Sequence, residues 1–234
     1  MATVTNFRRD GDSALERVGA LPDKTTGKIS ADAIDVPAHV KPYVASFKSV
    51  HVPYAKACDE ADATREVRDG VLEDIGKTAE ALDPLLEALA SKLADAKLGT
   101  RMRPFAAFSS YAPSDLGKLA YAMRKSEVIK LADAVLAATS DAAAVKAAHA
   151  VKAGADLLGT RLDSLAMPQA KFAGAMAARD ALLPDWHAQW REFKKQLRAA
   201  WSQEPGKLAF VLAPPPVIAV EKKGKRVKKV AATV

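Results

Sequence analysis

AVKAAHAVKAGADLLGTRLDSLAMPQAKFAGAMAARDALLPDWHAQWREFKKQLRAAW, residues 144–201, decides the fold class. Alternating steps of three and four residues visit Ala144, Ala148, Val151, Ala155, Leu158, Leu162, Leu165, Gln169, Phe172, Met176, Arg179, Leu183, Trp186, Trp190, Phe193, Leu197 and Ala200. Of these 17 positions only Gln169 and Arg179 are not apolar, whereas a chain that is 49% hydrophobic would supply about half by chance. Such a seam is the mark of a helix with a coiled-coil-like buried edge. Ala144, Ala148 and Ala155, with Gly154 and Gly159 beside them, leave room for a second helix to approach closely, which favours a bundle over a lone rod. Pro168 interrupts the pattern where the phase rests on Gln169 alone, so the helix breaks or kinks there.

Working outward, the same stepping appears upstream. Val40, Val44, Phe47, His51, Tyr54 and Cys58 form one seam, with Pro53 placing a kink or break near residues 49–53. Leu72, Ile75, Ala79, Leu82, Leu86, Leu89, Leu93 and Ala96 form another, and its phase runs through Pro84, which predicts a bend rather than a new helix. Gly99 supplies a stop signal. Residues 100–112 are the longest irregular stretch of the body, and its Arg101 and Arg103 read as a solvated bundle end. Ser114 is the expected cap of the following helix, whose buried face is Leu116, Leu119, Met123, Val128, Leu131, Val135 and Ala138. The predicted helices are 38–52, 54–98, 114–138, 141–166 and 168–202. If Pro53 and Pro168 only kink their helices, two long rods of roughly 60 residues result; if they break them, the two middle helices pair antiparallel through the short turn at 139–141. The fold class is therefore all-α: an elongated antiparallel helical bundle of four to five long helices with coiled-coil-like seams.

The ends are less regular. Residues 1–36 mix Thr, Lys, Asp and Gly with scattered apolars and read as an N-terminal arm, helical at most over 13–20. The bundle then occupies 37–203, and 204–234 is a C-terminal extension. In that extension Glu204, Pro205 and Gly206 stop the helix, LAFVLA suggests a short strand, Pro214 to Pro216 make a stiff spacer, and a small hairpin or a disordered basic tail follows.

Composition agrees with helix. Alanine is abundant, aromatics are 6%, and 12 glycines are spread over 234 residues. One cysteine, Cys58, rules out an intrachain disulfide framework and a cysteine-based zinc cluster, which suits a reducing compartment. The first residues lack a secretory apolar core, and the most lipid-like run, 208–220, is short and broken by proline. A cytoplasmic protein with no transmembrane segment is expected. The formal net charge is +7, but much of it sits in the tail, where Lys222, Lys223, Lys225, Arg226, Lys228 and Lys229 face only Glu221.

Motifs for chemistry are absent. The letters DEAD at 59–62 lack the strand and the glycine-rich phosphate loop that would bring a carboxylate to a nucleotide-bound magnesium, and Gly27-Lys28-Ile29-Ser30 lacks the upstream glycine of such a loop. His39, His51, His149 and His187 are isolated and make no ligand pair on a helix face. His51 and His149 read as partly buried packing, and Cys58 as core. No catalytic residue, metal site or cofactor is assigned, and the chain is expected not to be an enzyme.

The most suggestive segment is 186–201, WHAQWREFKKQLRAAW. Trp186, Trp190 and Phe193 share a face with Leu197, flanked by Arg191, Lys194, Lys195 and Arg198. A basic aromatic helix of this kind grips a partner groove or lies on a membrane surface, although the aromatics are also in register with the seam. The candidate partner-binding residues are Trp186, Trp190, Arg191, Lys194, Lys195 and Arg198, with Lys222, Lys223, Lys225, Arg226, Lys228 and Lys229 of the tail. The resulting expectation is a structural or interaction protein that binds a protein partner or self-assembles as a homo-oligomer through helical faces and terminal arms. A nucleic-acid-associated protein using the tail and the 186–201 helix is the alternative, and peripheral membrane contact is a third mode of binding.

Overall fold

A computed structural model describes residues 4–23 and 26–214. The six basic tail residues, and the expected hairpin or disordered extension, lie outside the described residues. Within them the fold is all-α, with eight helices and no strand: α1 (Val4–Arg17), α2 (Lys41–Glu80), α3 (Leu82–Asp95), α4 (Pro113–Leu116), α5 (Tyr121–Ala138), α6 (Ala142–Asp163), α7 (Ala166–Ala200) and α8 (Pro205–Leu212). The chain divides into two compact units. The first takes the chain up to Ala55 and again from Leu183, and the second is the continuous run Lys56–Leu182.

The second unit is built on α3, α5 and α6. Thr139 ends α5 in extended conformation, and Asp141 caps α6 by accepting from the amides of Ala143 (3.1 Å) and Ala144 (2.8 Å). Such a cap is worth about 1 kcal/mol and fixes the tight antiparallel reversal. Leu86, Leu89 and Leu93 of α3, Val128, Leu131, Ala132 and Val135 of α5, and Ala144, Ala148, Val151 and Ala155 of α6 make one core, closed by Phe105 from the connecting loop and Leu116 of α4. The small residues of α6 act as their spacing implies. A side-chain carbon added at Gly154 would lie 2.7 Å from Leu82 Cδ2, so α3 packs against bare backbone. Ile75, Ala79, Leu82 and Leu158 extend the apolar packing.

The prolines act differently on the helices that hold them. Pro84 has no amide to donate to Glu80, and the helix bends there as its unbroken phase predicts: Ala81 stays right-handed helical (φ −66°, ψ −15°), so α2 and α3 run on as one long bent helix. Pro53 is accommodated inside α2, and Pro184, which lacks a donor for Asp180, inside α7. Pro168 interrupts nothing: it occupies the first turn of α7, where no donor is needed, and the break falls at Ser164 and Leu165.

Three expectations about helix ends are corrected. Ser114 is not a cap: Pro113 opens α4 with Ala112 as the capping residue, and the single helix expected over 114–138 is two, separated at 117–120. Gly99 does not supply the left-handed residue that ends α3. That residue is Lys97 (φ 58°), with its amide on Ala94 O (3.1 Å) and the Leu98 amide on Leu93 O (2.9 Å), the pairing of a Schellman motif. Gly99 is required for another reason, since an added side-chain carbon would sit 2.3 Å from the Pro104 carbonyl oxygen. LAFVLA is not a strand: Leu208 to Leu212 lie in α8 and Ala213 caps it, because Pro205 can open a helix as readily as end one.

The first unit overturns the irregular arm. Residues Val4–Arg17 are helical, with Ala14, Leu15 and Val18 buried. The described residues from 18 to 36 run in turns and irregular backbone, with hydrogen bonds such as Ile34 N to Arg17 O (2.8 Å). Arg17 also holds α8, donating from Nη1 to the carbonyls of Phe210 (2.8 Å) and Ala213 (2.6 Å) with its guanidinium 5.3 Å from the Phe210 ring centre. These charge-assisted bonds satisfy carbonyls that the end of a helix leaves open.

Candidate interaction site

The 186–201 segment is the C-terminal half of α7 and belongs to the first unit. Its aromatic face is consumed by that unit's own core. Trp186, Phe193 and Leu197 have no exposed surface, and Trp201 is buried. Phe47 of α2 stacks on Phe193 with ring centres 5.1 Å apart and an interplanar angle of 11°, and it approaches Trp190 at 5.0 Å. Trp186 fills the space between Phe7, Phe47 and Tyr54, with centroid distances of 5.6–5.7 Å. Aromatic contacts of this geometry add about 0.5–1.5 kcal/mol each beyond area burial.

Polar order inside this cluster runs through His51, which is wholly buried rather than partly buried. Trp186 Nε1 lies 2.9 Å from His51 Nδ1, and His51 Nε2 lies 2.9 Å from Asp12 Oδ1. Asp12 in turn faces Arg8, its Oδ2 3.6 Å from the Arg8 Nε. Indole nitrogen only donates, so Nδ1 accepts and Nε2 carries the proton that bonds the carboxylate. The same packing explains Gly11: a side-chain carbon there would stand 2.4 Å from the imidazole ring. Trp186, His51, Asp12 and Arg8 are thereby held in one chain of polar contacts.

The basic flank has a different fate. Arg191, Lys195 and Arg198 are exposed, while Trp190 and Lys194 are half-buried. Arg191 Nε donates to the His187 carbonyl (3.3 Å), and Lys195 faces Glu192 at 3.6 Å. Lys194 and Arg198, one turn apart, line a cleft of about 350 Å³ together with Asp10 of α1, Trp190, and Leu212, Ala213 and Pro214 at the end of α8. The Lys194 ammonium sits 5.1 Å from the Trp190 ring centre. Desolvation, and then the charge of Arg198, push Lys194 below the ordinary lysine range, with Asp10 opposing. Burial pushes the Asp10 carboxyl above its ordinary value against the pull of Arg9 and Lys194.

Sequence reasoning therefore located the α7 residues of this cleft but missed those from α1 and α8. The signal was present at Phe7, Gly11, Ala14, Leu15 and Val18, which share a helical face. Gly11 and the acidic residues beside it lowered the helical reading of the arm. Other candidates are placed plainly. His149 is exposed rather than partly buried, Cys58 is buried on α2, and Asp62 of the DEAD run pairs with Arg65 at 3.0 Å on the outside of α2. Arg101 and Arg103 are exposed. Among the described residues no group of three or more His, Cys, Asp or Glu could hold a metal ion, and no helix is long and apolar enough to cross a membrane. No family model, curated protein or solved structure matches the chain.

Proposed function

We propose that the chain is a non-enzymatic binding protein that engages an acidic protein surface, on a partner or on a second copy, through the basic side of α7 and the basic tail. The observation that carries this reading is the division of the 186–201 helix: its aromatic residues are spent on the core, which leaves Arg191, Lys195 and Arg198 outward on a rigid support. A partner meeting this face finds outward positive charge, so recognition is electrostatic and sensitive to salt. The test compares the wild-type chain with a variant carrying Arg191→Glu, Lys195→Glu and Arg198→Glu, by light scattering across a concentration series and by capture from lysate. Unchanged mass and an unchanged set of captured proteins would sink the proposal.

Nucleic acid is the second reading, favoured by the same outward cations and the tail. It has less support because Trp186 and Phe193, which could have stacked on bases, are buried. It requires binding of a labelled single strand that falls steeply as salt is raised, and no binding at low salt removes it.

A further inference from the structure

We infer that the cleft between α7 and the end of α8 is the anchor point of that interaction, taking a carboxylate-bearing side chain of an acidic protein segment together with an apolar neighbour. The inference rests on the acidic-partner reading and narrows it to one place on the helix.

Three features of the cleft select this occupant. Lys194 and Arg198 present two cations one helical turn apart, and among the described residues neither forms an ion pair, unlike Lys195 with Glu192. Lys194 is half-buried on the Trp190 ring with Arg198 beside it, and Asp10 supplies a single opposing charge. A further carboxylate relieves the repulsion between Lys194 and Arg198 and is worth more there than on the open helix surface, where water screens it. The rest of the wall is apolar or aromatic, formed by Trp190, Leu212, Ala213 and Pro214, and covering it calls for a hydrocarbon group adjoining the acid. About 350 Å³ accommodates one or two side chains but not a folded element.

The placement also separates this site from diffuse attraction. Arg191 and Lys195 lie on the same helix and carry the same charge, but do not line the cleft. The experiment uses the full chain and a short fluorescein-labelled peptide of repeated Asp-Leu-Glu, with a second peptide of equal charge bearing Gly in place of Leu. Fluorescence anisotropy is read for wild type, for Lys194→Met with Arg198→Met, and for Arg191→Met with Lys195→Met, with thermal melts confirming that each variant is folded. The cleft pair should weaken the leucine peptide by about tenfold or more, and the outer pair by less than about threefold. Wild type should also prefer the leucine peptide to the glycine one. Equal losses from both pairs would show binding to the whole basic face, which overturns the anchor and spares the acidic-partner reading. Absence of binding by either peptide overturns both. Displacement of the peptide by equimolar inorganic phosphate marks a free-anion site and overturns the anchor.

Discussion

Trp186 and His51, 135 residues apart in the chain, share a buried hydrogen bond in which the indole is the donor and Nδ1 the acceptor. The bond dictates the imidazole tautomer, because Trp186 can offer only a proton. Nitrogen-15 spectra of labelled protein should show His51 as the neutral ring protonated at Nε2. Trp186→Phe keeps most of the ring packing but leaves Nδ1 without a partner in a place water does not reach. It should lower stability by about 1–3 kcal/mol, read from denaturant midpoints. An Nδ1-protonated ring in the wild type would mean the Trp186 contact has been misassigned.

Glycines on helices α1 and α7 give opposite expectations for the same substitution. Gly174 has nothing within 4 Å of an added side-chain carbon, so Gly174→Ala should stabilise by roughly 0.5–1 kcal/mol through helix propensity alone. Gly11→Ala should instead destabilise by about 1–3 kcal/mol, since the methyl group meets the His51 ring and α1 must move away. A Gly11→Ala protein as stable as wild type would show that α1 is not docked as described.

Lys97 and Gly99 at the end of α3 form a second contrast. Lys97 is a non-glycine residue held at positive φ, and Lys97→Gly should raise stability by about 1 kcal/mol by removing the left-handed penalty. Gly99→Ala should lower it, because the Pro104 carbonyl occupies the space. Thermal melts of the two variants should therefore shift in opposite directions.

Asp10 links the cleft to pH. Its folded value is raised above the ordinary 3.8, so protonation favours the folded state: its contribution is fully present below 3.8 and is lost as pH rises through the folded value. Asp10→Asn cannot ionise. The stability of wild type relative to this variant should fall between pH 3 and neutrality, measured as the difference in urea midpoints at about five pH values across that range. A difference that is flat, or that grows with pH, would contradict the desolvation of Asp10.

Much of the fold was legible because burial on a helix leaves a three-four trace. Ala144 through Leu158 and Leu82 through Leu93 are buried where the seam places them. The trace weakens between Leu162 and Leu183, where Gln169 is exposed and Phe172 and Met176 are only half-buried. Helix ends were harder to read, since Gly99, Ser114 and Pro205 each permit more than one backbone role and neighbouring packing chooses among them. The cleft was half legible: Trp190, Lys194 and Arg198 stood out on a single helix, whereas Asp10 and Leu212 join them only through tertiary packing. Nothing local in the sequence records that meeting.

The two-part construction of the first unit also sets an order of events during synthesis. Residues 56–182 are continuous and carry their own core, so everything that unit needs is present once Leu182 has been made. The aromatic cluster has no such independence. Phe47, His51 and Tyr54 emerge early and have no Trp186 or Phe193 to cover them until most of the chain has been translated. Contacts so far apart along the chain close slowly, and an aromatic surface left open in the meantime invites aggregation. Nascent chains halted before Trp186 should accordingly be the ones that chaperones hold.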